Sequence, residues 1–342
     1  MANAPLTTVL IDTYNYGRFI EQSIDSVLSQ DFPPEQLEVI VVDDGSTDDT
    51  AERVGRYGSR IKYLQKPNGG QASAFNLGFA NANGDLILLL DADDYFLPGK
   101  VRRIFDAFQA HPAVGMVYHR FPQMHSGGVL IPAVEFEALS GFLPADARLL
   151  SRYRAHQTSC LAFRRSVLQE IFPIPESIKI QADAFPELTA TLIAPVLAIE
   201  EDLAVYRIHG ENLCATDYQA TSAEAAKRLV VSSSIVQHEI QEWIRTHRQR
   251  IGNVDTRRLL DGLLFLPMEQ QFRFEPPGRF RYFAFLIRRN YALGPTQGFL
   301  YTVMKDVVAL ITLLVGYKNY LRIHAWCGKT LHVLRPLAGE KR

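Results

Sequence analysis

Along the first hundred residues, short apolar runs alternate with longer stretches in which apolar positions return every three or four residues. The runs lie at 8–11, 37–42, 61–64 and 86–90, each of strand length and largely apolar on both faces. Between them, 19–30 sets Phe19, Ile20, Ile24, Val27 and Leu28 on one helical stripe, stopped by Pro33-Pro34. A second helix near 48–57 has N-cap candidates from Ser46 to Thr50, and a third over 72–82 ends at Gly84. This alternation predicts an α/β fold: a mostly parallel, doubly wound, Rossmann-like sheet covered on both faces. Further along, the pattern predicts a helix over 101–111, a strand over 114–118, a strand over 159–163 and a helix over 165–171. A helical stretch over 180–193 reads as interrupted by Pro186, strands follow at 196–199 and 203–208, and a helix runs from Ser222 to about Arg250. Residues 121–150 read as an insertion.

In a parallel sheet, ligands collect beyond the carboxyl ends of the strands. Three of these ends are polar: 12–15, 43–46 and 91–94. The sharpest is LILLLDADD at 86–94, where a buried strand runs straight into Asp91, Asp93 and Asp94. Two carboxylates one residue apart can share a hard divalent cation, against the plainer reading of solvated turn residues. Asp43 and Asp44 could accept from a base N–H or a ribose hydroxyl, and Asn68-Gly69-Gly70-Gln71 offers a close-approach loop with a side-chain amide. Asp183, at the head of an apolar helix, reads either as a general base or as a carboxylate stabilising a helix N-terminus. His209 reads as a metal or phosphate contact, or as a structural histidine.

Composition narrows the picture. With 342 residues there is core for one large domain or two. A hydrophobic content of 47% and a formal net charge of −1 describe an ordinary folded protein and give no ground for a nucleic-acid partner. Cys160, Cys214 and Cys327 are far apart with no CxxC, which points to reduced thiols and a cytoplasmic setting. The first residues, MANAPLTTVLID, lack the basic and apolar regions of a signal peptide. Charge is uneven, however: residues 273–342 carry twelve Lys or Arg against three acids, amid many aromatics. The apolar stretch at 298–316 approaches the length of a membrane span but has Lys305 and Asp306 near its middle. It is expected to pack on the core or lie at a membrane surface rather than to span.

LIDTYNYGRFIEQSIDSVLSQ at 10–30, VIVVDDGSTDDT at 39–50 and KPNGGQASAFNLGFANANGDLILLLDADD at 66–94 occur in the order and spacing of one known family. The chain resembles the family 2 glycosyltransferases, inverting enzymes with the GT-A nucleotide-sugar-binding fold. The resemblance is dense over 6–100, thinner to about 215, and does not extend into the tail. It implies a transferase domain over 1–220, with nucleotide-sugar binding in 1–100 and the acceptor side in 101–220, followed by a helical C-terminal region over 221–342. By position, Thr13, Tyr14 and Asn15 match the nucleotide-pocket loop, and Asp43 or Asp44, with Asp44 favoured, matches the base-reading carboxylate. Asn68, Gly70 and Gln71 match the loop beside the ribose. Asp91-Ala92-Asp93 matches the family's DxD, with Asp91 toward the nucleotide and Asp93 on Mn²⁺ or Mg²⁺. Asp183 matches the catalytic base of the family's ED motif, although Ala182 stands where the Glu is usual. His209, in YRIHGEN, resembles a metal or diphosphate contact.

The implied reaction moves one sugar from a nucleotide-diphosphate sugar to an acceptor hydroxyl with inversion, in polysaccharide or glycoconjugate biosynthesis. The acceptor would be a sugar, a lipid-linked molecule or another hydroxyl compound. The QxxRW motif of processive synthases is missing, so a non-processive enzyme is expected. Its basic tail, 273–342, fits peripheral contact at the inner face of a membrane or an oligomer interface. Two rivals are a non-catalytic nucleotide-sugar-binding protein and a sugar nucleotidyltransferase. The latter needs a glycine-rich loop after the first strand, where Asp12-Thr13-Tyr14-Asn15 stands instead.

Overall fold

A computed structural model describes residues 6–125, 128–132, 136–212, 222–275 and 277–293. The apolar stretch at 298–316, and most of the basic tail, lie outside the described residues. The four early runs form β1 (Thr7–Thr13), β2 (Leu37–Asp43), β3 (Lys62–Gln65) and β4 (Leu86–Asp91), all parallel.

Successive residues of these strands enter opposite cores, as the two-residue period of a strand requires. Val9, Ile11, Val41, Leu88 and Leu90 pack with α1 (Gly17–Leu28) and α2 (Thr50–Gly55) on one face. Leu10, Ile40, Val42, Ile87 and Leu89 face the other core, with α3 (Gln71–Asn81). Each such side chain, buried completely, is worth about 1.5–3 kcal/mol. The first face also takes α4 (Lys100–Ala110). The second takes α5 (Ala147–Arg152), α6 (Arg165–Ile171), α7 (Ala184–Ile193), α8 (Ala223–Thr246), α9 (Arg248–Ile251) and the start of α10 (Arg257–Phe274). Val236, Ile240 and Trp243 of α8 therefore share a core with the central strands. A small third cluster joins Phe265 and Phe272 to Tyr282, Phe285 and Leu286 of α11 (Arg279–Leu293). Among the described residues, no helix is long and apolar enough to cross a membrane.

After β5 (Tyr95–Phe96), the chain adds β6 (Met116–Arg120), β7 (Gln123–Met124), β8 (Leu130–Ile131), β9 (Leu161–Arg164), β10 (Val196–Asp202) and β11 (Ala204–Arg207). The main sheet runs β10-β6-β9-β4-β1-β2-β3. Its β9 is antiparallel to both β4 and β6, the one reversed strand among these seven. A smaller sheet runs β5-β11-β7-β8, and just beyond β11 His209 lies 2.9 Å from Asp93, which follows β4.

The strand order reverses between β1 and β4: β2 and β3 lie to one side of β1, and β4 to the other. Such a switch point opens a crevice at the strand ends. Here the register sets Asp12 directly beside Asp91. Pro186, expected to interrupt a helix, instead sits in the first turn of α7, where no intrahelical partner for its nitrogen is needed.

Candidate active site

A cavity of about 430 Å³ opens at this switch point. Its walls include Thr13, Tyr14, Asp44, Asn68, Gly70, Gln71, Asp91, Ala92, Asp93 and Asp183, so most of the expected residues converge on one space. Asn15, Asp43 and His209 are not on its walls.

Asn15 and Asp43 brace the cavity from behind. Asn15 takes a left-handed conformation (φ 59°), which Asn tolerates well, and its side-chain oxygen accepts from the Thr47 N–H at 2.7 Å. Asp43 accepts from the Ser46 N–H at 2.7 Å and from the Tyr63 hydroxyl at 2.6 Å. Asp44 accepts from Lys66 Nζ at 2.5 Å and from the N–H groups of Gly69 and Gly70 at 2.9 and 2.7 Å. It thereby folds the 66–70 loop over the cavity. Gly45 permits this contact: its φ is +82°, and a Cβ there would lie 2.8 Å from the Asn68 nitrogen.

The cavity floor is acidic. Asp91, Asp93 and Asp94 each offer an oxygen within 4.8 Å of the others. Asp94 is already engaged, accepting from the Ser159 hydroxyl at 2.6 Å and the Arg207 N–H at 2.9 Å. Asp93 Oδ2 meets His209 Nε2 at 2.9 Å and Asn212 Nδ2 at 3.3 Å. His209 thus reaches the cluster through Asp93. Lys100 is fully buried beneath, donates to the Ser159 carbonyl, and is drawn down to about 7 by burial.

Asp12 was not among the expected site residues. Burial pushes it up to about 7, opposed by hydrogen bonds with Asp91 and Gln71, and Asp91 is driven well above the carboxylate range by burial and by Asp12. The signal was available, since β1 ends in Asp just as β4 does. Asp12 Oδ1 is buried with no partner among the described residues. An oxygen-only donor set, crowded and costly to charge, fits a hard divalent cation.

Asp183 precedes the first turn of α7, and its Oδ2 accepts from the Thr158 hydroxyl at 2.8 Å. Burial first, then the charge of Glu187, raises it to about 6. Glu187, also unforeseen, is fully buried and accepts from Tyr153 Oη at 2.8 Å and the His156 N–H at 2.9 Å. Just ahead of Asp183, Gln181 is left-handed at φ 60°, a strain of about 1–3 kcal/mol for a residue other than glycine.

A doubly wound sheet with a carboxylate turn at its switch point and a separate buried carboxylate across the same cavity defines a glycosyltransferase of the GT-A type. Residues 8–172 match the family model described as Glycosyl transferase family 2. An uncharacterized glycosyltransferase of Nostoc sp. is 34% identical over 234 residues, which span 64% of this chain and 70% of that protein. The chain belongs to glycosyl transferase family 2. A chondroitin synthase of Pasteurella multocida is 37% identical over 130 residues, 37% of this chain but only 13% of that protein. In fold, the chain is similar to S. aureus TarS 1-349 in complex with UDP-GlcNAc, with a TM-score of 0.55, 19% identity and 92% of each chain covered. It is also similar to a mannosyltransferase of Pyrobaculum calidifontis in complex with GDP-Man and Mn2+, at TM-score 0.53 and 19% identity, covering 99% of this chain and 89% of that one.

Proposed function

We propose that this glycosyltransferase moves a single sugar from a nucleoside-diphosphate sugar to an acceptor hydroxyl by one in-line displacement, inverting the anomeric carbon. The observation that carries the reading is Asp183, a buried carboxylate raised to about 6, opening on the same cavity as Asp91 and Asp93. A general base works best with a pKa near the operating pH and within reach of the proton it takes.

The nucleotide lies against Thr13, Tyr14 and Asp91, with its ribose beside Gln71 and the 66–70 loop that Asp44 folds. Asp93, fixed through Oδ2 by His209 and Asn212, is the principal metal ligand, and Asp91 adds a second carboxylate. A divalent ion held there, Mn²⁺ or Mg²⁺, supplies charge neutralisation for the departing diphosphate. Asp183 takes the proton of the acceptor hydroxyl as its oxygen bonds to the anomeric carbon. The bond from that carbon to the phosphate oxygen breaks, and its electron pair leaves with the diphosphate. The Mn2+ and nucleotide sugars named with the two structural neighbours support this reading.

The acceptor is a sugar or lipid-linked hydroxyl in polysaccharide or glycoconjugate assembly, reached while the basic, aromatic 273–342 region lies against anionic lipid. Replacing Asp183 with Asn tests the central role: transfer from UDP-GlcNAc or GDP-Man should stop while nucleotide binding persists.

A further inference from the structure

The turn carrying Asp183 is gripped from two sides by groups outside the reacting pair. On one side is α8. Ser233 Oγ donates to Gln181 Oε1 at 3.1 Å, and Ser232 Oγ donates to the Ile180 carbonyl at 2.9 Å. Both serines are buried. On the other side is α3. Gln71 Oε1 accepts from the Ala182 N–H at 2.9 Å, and the Gln71 N–H donates to the Lys179 carbonyl at 3.0 Å. Four consecutive residues, 179–182, are therefore pinned immediately before Asp183. Between the two grips, Gln181 holds a left-handed conformation.

We propose that Gln181 is a positioning residue for Asp183, held in its strained conformation by Ser233 and opposed by Gln71, so that α8 is a working part of the transfer site. The inference rests on the reading of Asp183 as the base. A left-handed residue other than glycine persists only where its surroundings enforce it. Without Ser233, Gln181 relaxes to negative φ, and the peptide leading into Asp183 turns with it. Misplacing a catalytic group by about 1 Å costs of order 100-fold in rate. The α8 side of this grip lies outside the segment matched by the family model, since α8 begins at Ala223 and the match ends at residue 172. Gln71, which also lines the cavity, joins the Ala182 backbone to Asp91 Oδ1 (3.4 Å) through its side-chain amide.

Glycine separates positioning from simple support, because it adopts positive φ without strain. The full chain, assayed with Mn²⁺ by release of UDP from UDP-GlcNAc or GDP from GDP-Man, should lose turnover about 10- to 100-fold in Ser233→Ala. Its KM for the donor should stay within about twofold. Whatever turnover Gln181→Gly retains, adding Ser233→Ala to it should change nothing further, because the side chain that Ser233 holds is already gone. Amide exchange over 178–186 should quicken about tenfold or more in Ser233→Ala, whereas the same change made in Gln181→Gly should quicken it no further. An equal loss from Ser233→Ala in both backgrounds, or unchanged turnover and exchange, overturns the proposal. If Asp183→Asn keeps full turnover while exchange behaves as described, the base reading falls and the grip on the turn stands. If Asp183→Asn is inactive and Ser233→Ala leaves exchange unaltered, the grip falls alone.

Discussion

Thr158 Oγ1 donates to Asp183 Oδ2 across 2.8 Å, tying the segment that enters β9 to the head of α7. This hydrogen bond favours the charged carboxylate, in opposition to burial and Glu187, which raise it to about 6. A base must be unprotonated to act. Turnover should therefore fall about tenfold per pH unit below about 6 and level off above it. Thr158→Ala removes a hydrogen bond that favours the charged form, so the acid limb of kcat/KM should move to higher pH. An unmoved limb in a pH–rate profile would separate it from Asp183.

The metal prediction rests on Asp93. Mn²⁺ together with UDP or GDP should raise the melting temperature of the wild type, because a ligand that binds only the folded state stabilises it by mass action. In Asp93→Ala the Mn²⁺-dependent part of that rise should vanish. His209→Ala, which releases Asp93 Oδ2, should weaken Mn²⁺ affinity about 10- to 100-fold in calorimetry. An unchanged affinity would show that His209 does not orient the ligand.

Asp44 carries a stability prediction. Its carboxylate is the acceptor for Lys66 and for two backbone N–H groups of the 66–70 loop, and it is almost wholly buried. Asp44→Ala leaves these donors without their acceptor, at a cost of about 1–3 kcal/mol in urea unfolding. Nucleotide binding should fall with it, since the loop loses its anchor.

The sequence made much of this site readable because each strand that feeds it is a plain apolar run ending in acid. LILLLDADD announced both β4 and the carboxylates beyond it, and VIVVDDGS did the same for β2. Strand direction was not readable: Leu161-Ala162-Phe163 packs equally well pointing either way, and only its neighbours β4 and β6 fix it as antiparallel. Asp12 escaped because its meaning comes from register, which places it beside Asp91 only once β1 and β4 pair. Glu187 was hidden for a related reason. A Glu within an apolar helix says nothing about Tyr153 or His156 until the fold brings them to it. Gln181 carries no local mark of its positive φ, since Ser233 lies fifty-two residues further along the chain. Pro186 misled by suggesting a break, where the helix begins just before it.

The basic tail yields a separate prediction. Lys and Arg close to an anionic surface contribute about 1 kcal/mol each, and the effect is screened by salt. The full chain should float with vesicles containing anionic lipid at low salt, and less so at high salt. A chain ending at residue 293 should float less than the full one. Equal flotation of both would assign the contact to residues before 294.

The most direct test of the account is Asp183→Asn, assayed for transfer and for binding in the same preparation. A positioned general base contributes about 10²- to 10⁴-fold. The variant should lose at least a hundredfold in turnover of UDP-GlcNAc or GDP-Man, while its calorimetric affinity for UDP or GDP with Mn²⁺ stays within about threefold of wild type. Full turnover in a folded variant that binds nucleotide normally would contradict the role of Asp183, and with it the mechanism.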